Sequence, residues 1–113
     1  QEPIAHIQEE FHGITDGLSS AEAIRAVTHC GMLIAMHPDQ ATGAALESAL
    51  ALDKPFAIVP CCVFSRQYPH RLTPEGGTVS TYEELCDWLQ EQGPGIQRDT
   101  LPFHGRNTVL YRL

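Results

Sequence analysis

The chain has 113 residues, enough for one small domain with a single core that buries a smaller share of its surface than a full-size enzyme domain. Seven basic against fourteen acidic residues leave a formal net charge of −7, which argues against a general nucleic-acid or anionic-membrane surface, since both need clustered Lys and Arg. No apolar run approaches the roughly 18 residues of a membrane span, and four cysteines without a secretory leader read as reduced thiols of a cytoplasmic protein. The chain begins at Gln1 rather than Met, so a native start upstream is expected.

Ile4, Ile7 and Phe11, with polar residues between them, suit a short first strand. A loop through Asp16 follows, then a Ser19–Glu22 capping box and a helix from about Ser20 to Thr28. Met32 to Met36 is a continuous apolar run of the kind found in strands buried on both faces. After the polar tip His37-Pro38-Asp39-Gln40, with Asp39 or Gln40 as the cap, a helix is predicted over Ala41 to Leu52 and a second buried strand over Phe56 to Pro60, ending in Cys61 and Cys62. Strand, crossover helix and strand in so few residues require parallel strands, so the two polar tips converge.

From Val63 to Ser80 the chain turns polar and irregular, with Pro69, Pro74, Gly76 and Gly77 as breakers, the mark of a functional or mobile loop. Thr81 and Glu84 form another capping box ahead of an apolar stripe of Tyr82, Leu85, Cys86 and Leu89, which Trp88 widens. Gly93-Pro94-Gly95 stops that helix, Ile96 to Pro102 holds a short extended piece, and Thr108 to Tyr111 reads as a last strand that adds in either direction. The expected architecture is a single α/β domain over residues 1–113, a three-layer, mainly parallel sheet with helices on its faces.

Chemistry at the converging tips is limited. His37, Asp39, Cys61, Cys62 and His70 supply zinc-type ligands, but consecutive cysteines ligate one ion awkwardly, and structural cysteines are the expected reading. A catalytic cysteine would need His37 against Cys61 or Cys62, and nothing in the sequence places an oxyanion hole. Asp39 is most simply a helix cap with Thr42 beside it, which would fill the anion position at the helix start and favour a hydrogen-bond donor as ligand. Arg66 and Arg71 flank His70 and offer a local anion contact, against the plainer reading of two solvated loop arginines.

The segment His37-Pro38-Asp39-Gln40-Ala41-Thr42, followed by Lys54-Pro55-Phe56-Ala57-Ile58-Val59-Pro60-Cys61-Cys62-Val63-Phe64 and by Gly105-Arg106-Asn107 before the last strand, resembles a methyltransferase-like family of the class I fold. More distantly it is similar to tRNA methyltransferases that carry a His-x-Cys-Gly-x-x-Thr-Asp tip and a later Cys-Cys. The resemblance implies a partial Rossmann-like fold, S-adenosylmethionine as cofactor, and a pocket marked by His37, Asp39, Thr42, Cys61 and Cys62, with Asp16 at the acidic position near the adenine. Relatives hold the cofactor with a glycine-rich turn and an acidic residue that would both lie before Gln1. The only G-x-G, Gly93-Pro94-Gly95, follows a helix and cannot cradle it. The implied protein is the carboxyl-terminal part of a methyltransferase, inactive alone, or a domain that lost its cofactor half. Either leaves an apolar sheet edge open to a second copy or a partner, so a non-catalytic dimerisation or interaction module is the alternative.

Overall fold

Ser20 opens helix α1 (Ala21–His29) by accepting the Ala23 amide on its hydroxyl at 3.1 Å, one residue later than the Ser19–Glu22 pair predicts. The Ser19 hydroxyl instead accepts the His12 amide at 2.9 Å. The computed structural model describes residues 10–14 and 17–113, so residues 4–9 of the expected first strand lie outside it, and Glu10 and Phe11 carry no regular structure.

Strand β1 (Leu33–Met36) runs into a one-turn 3-10 helix (Asp39–Ala41), helix α2 (Thr42–Ala51) and strand β2 (Phe56–Val59). β1 and β2 are parallel neighbours, with Leu33 opposite Phe56 and Met36 opposite Val59. The His37 amide extends this ladder by donating to the Val59 carbonyl at 2.8 Å, so the two polar tips do converge. Helix α3 (Tyr82–Gln90) starts at the predicted box: the Thr81 hydroxyl accepts the Glu84 amide, and the Glu84 carboxylate accepts the Thr81 and Ser80 amides.

Strands β3 (Gln97–Thr100) and β4 (Thr108–Arg112) form an antiparallel hairpin, and β4 adds antiparallel to β2. The sheet order is β1-β2-β4-β3, so it is mixed, with one parallel pairing of three rather than a parallel majority. The reason is local. The extended piece after α3 becomes a full strand and turns straight back, and a short link of that kind joins only antiparallel strands.

Register places Leu33, Ala35, Phe56, Ile58 and Leu110 on one sheet face, where they join Ala45, Leu46 and Ala49 of α2 and Leu85, Cys86 and Leu89 of α3 in a single core. Ile34 and Met36 point the other way and are 68% and 58% exposed. β1 is therefore an edge strand buried on one face, not on both as its apolar run predicts. No described helix is long and apolar enough to cross a membrane.

Candidate functional site

Beyond the carboxyl end of β1 the chain must reverse into α2, and it does so through His37, whose φ of 49° lies in the left-handed region that histidine tolerates better than branched residues. The His37 side chain is exposed, its ring 6.4 Å from Phe103 in an edge contact. Cys61 is half-buried and Cys62 exposed at the end of the neighbouring strand. Thr42 is buried at the start of α2. Asp39 lies in the 3-10 turn, and the residue at the cap of α2 is Ala41, which supplies no side-chain cap. Asp16 lies outside the described residues. Among the described residues no three His, Cys, Asp or Glu gather closely enough to hold a metal.

An opening lies beside these tips. A groove of about 1190 Å³ runs along α2, walled by Gly43, Ala44 and Leu50 on one side and by Tyr68, Arg71 and Trp88 on the other. His37, Thr42, Cys61 and Cys62 do not line it.

Its wall is the segment that reads as an irregular loop. That segment is tied down at several points: the Tyr68 hydroxyl donates to the Gln40 carbonyl at 2.9 Å, the Val79 amide donates to the Arg71 carbonyl at 2.8 Å, and Leu72 bridges Thr78 across a turn that uses Gly76 at a φ of 91°. Val79 then enters the core. Pinned on both sides, Arg71 is carried inward and is 5% exposed, the reverse of a solvated loop arginine.

Its guanidinium lies 3.8 Å from the centre of the Tyr68 ring and 4.8 Å from that of Trp88. Both distances are cation–π contacts. Its Nη2 occupies the space that any side chain at position 43 would need, so Gly43 is what lets it rest against the first turn of α2. The Arg71 Nε is buried without a hydrogen-bond partner. Burial pushes the guanidinium pKa down from its ordinary value, with Tyr68 opposing, yet an arginine stays charged in proteins.

The contrast with the other arginines is informative. Arg98 meets Glu83 at 2.6 Å and Asp87 at 2.5 Å, and Arg112 meets Asp53 at 3.4 Å. Among the described residues Arg71 has no carboxylate at ion-pair distance. It also faces the positive end of a helix dipole, which adds to the cost of its charge. A buried cation in this state is stabilised most directly by an anion from outside.

Sequence reasoning named Arg71 only as half of a loop pair and did not connect Tyr68, Trp88 or Gly43 to it. The available signal was the one helical position, Trp88, that is too large for the stripe it widens. Comparison with family models, with curated proteins and with solved structures finds no match.

Proposed function

We propose that this chain is a binding domain for a small anionic ligand, held at Arg71 in the groove between α2 and the segment before α3. The observation that carries the reading is the buried guanidinium without a carboxylate among the described residues, in a chain with twice as many acidic as basic residues. Trp88 is the only tryptophan and lines the groove, so its fluorescence reports occupancy. Titration with acetate and with inorganic phosphate is expected to change that signal in the parent and not in Arg71→Met. No change in the parent at tens of millimolar of either anion overturns the reading.

The family resemblance brings S-adenosylmethionine to the same sheet edge. Its carboxylate suits Arg71, but its reacting centre is a sulfonium cation, which the same arginine repels. We derive no transfer step from the described residues. Calorimetry settles the matter: saturable S-adenosylmethionine binding would restore the methyltransferase-like assignment.

A second reading, a self-association module, draws on the exposed Ile34 and Met36 of edge strand β1. Gly31 to Met36 carries no charge, so two copies of this acidic chain can meet there without opposing like charges. A three-layer, Rossmann-like arrangement needs a cover on that same face. Light scattering over a concentration series should show a dimer that Ile34→Glu dissociates, and a monomer throughout removes this reading. None of the four cysteines is in a disulfide, which fits the cytoplasmic setting that belongs to both readings.

A further inference from the structure

We infer that the ligand of the groove is a single-headed amphiphile, one carboxylate on an unbranched apolar body, with its head at Arg71 and its tail along α2. This inference rests on the anion-binding reading and narrows it to a ligand class.

Size comes first. A groove of about 1190 Å³ is somewhat larger than the roughly 300–1,000 Å³ of pockets that hold drug-sized molecules, and a lone carboxylate or phosphate would fill a small corner of it. From Gly43, against which the guanidinium rests, to Ala51 at the far end of the helix is eight residues, or about 12 Å at the α-helical rise. The ligand has room to be long.

An apolar strip runs along that length, beside the polar groups of Gln40, Glu47 and Gln92. Ala44, Leu50 and Ala51 from α2, Trp88 from α3 and Phe11 from the preceding segment line the groove beyond the cation. These side chains offer contact area and no hydrogen bonds except the indole N–H.

Charge selects the head. One arginine and two histidines, His12 and His70, line the groove; Glu10 lies 3.4 Å from His12, while Glu47 repels a second negative charge. Glu47 sits one helical turn beyond Gly43, where the next group of a polyphosphate or the second acid of a dicarboxylate would be carried. A phosphate monoester brings about −1.5 to −2 at neutral pH. A carboxylate brings a single charge and accepts the planar guanidinium through two oxygens, which matches the one arginine present.

Trp88 fluorescence tests the inference with four probes: decanoate, acetate, decanol and the dicarboxylate sebacate. Decanoate is expected to bind at least tenfold more tightly than acetate, which lacks the tail, and than decanol, which lacks the charge. Sebacate, of the same length, should fall at least several-fold below decanoate. In Arg71→Met the affinity for decanoate should drop to that for decanol, and Gly43→Ala, which displaces the guanidinium while keeping the arginine, should weaken decanoate in the same direction. Equal affinity for acetate and decanoate, or tighter binding of sebacate, overturns the amphiphile and leaves the anion site standing. No response to acetate or to decanoate overturns both.

Discussion

Replacing Arg71 by methionine separates a ligand-binding arginine from a structural one, because the two roles predict opposite signs for stability. Methionine keeps most of the unbranched stem and its packing against Tyr68 and Trp88. What is lost is two cation–π contacts, each about 0.5–2 kcal/mol. What is relieved is the burial of a charge with no carboxylate beside it, several kcal/mol after relaxation, together with about 0.3–1 kcal/mol of repulsion from the start of α2. The terms offset one another, with the relieved charge burial the larger, so the ligand-free variant is not destabilised. Urea denaturation at pH 7, with the slope unchanged between the two proteins, measures the difference directly. The ligand-free variant should be as stable as the parent or more so, and it should lose the stabilisation that added ligand gives the parent. A loss of about 2 kcal/mol or more would show that the ring contacts are what the arginine is for, and the reasoning behind the anion site would fail.

Gly43→Ala should gain nothing in the parent although alanine in a helix is normally worth about 1 kcal/mol over glycine, because Arg71 Nη2 holds the space; in Arg71→Met the gain should appear, and a double-mutant cycle by urea denaturation that shows no coupling would refute the contact. The Glu84 carboxyl is held below its ordinary range by the Ser80 and Thr81 amides, so its contribution to stability is complete above the unfolded value of about 4.3 and is lost as pH falls through the folded one. Glu84→Gln, which accepts but does not titrate, should therefore lose less stability than the parent between pH 7 and pH 3, and equal losses would count against this. Burial pushes the Cys86 thiol pKa up, so iodoacetamide should modify exposed Cys62 well before Cys86, as mass spectrometry of the peptides would report; early labelling of Cys86 would contradict its place in the core. Arg98→Met should cost about 1 kcal/mol at low salt and less at high salt, since its two carboxylate partners are more than half exposed; a salt-independent loss would point to packing instead.

The unit from β1 to β2 was legible because each of its parts carries its own local signal. An apolar run, a small-residue helix and a second apolar run leave one topology, and the tips at His37 and Cys61 meet as that topology demands. The capping box at Thr81 was equally local. The sidedness of β1 was not, because Met32 to Met36 reads the same whether one face or two are covered, and what covers a face is decided by other parts of the chain. The cap of α2 escaped for a smaller reason: the 3-10 turn inserts Asp39, Gln40 and Ala41 between the strand and the helix, so the cap position falls on Ala41.

The burial of Arg71 could not be read locally at all. A charged residue between prolines in a polar stretch has every local reason to be in water, and its placement depends on residues far along the chain. Tyr68 is fixed by a carbonyl at position 40, Val79 draws the segment into the core, Gly43 leaves the space, and Trp88 closes it from α3. Each of these has a plain structural use taken singly. Together they hold a cation with a buried, unpartnered Nε and no described carboxylate beside it, and that is costly unless something else arrives. Fourteen acidic residues were available to the chain, and two of them already grip Arg98. That a pair of aromatic rings stands where a carboxylate would have served stability better is the physical reason to assign Arg71 to a ligand.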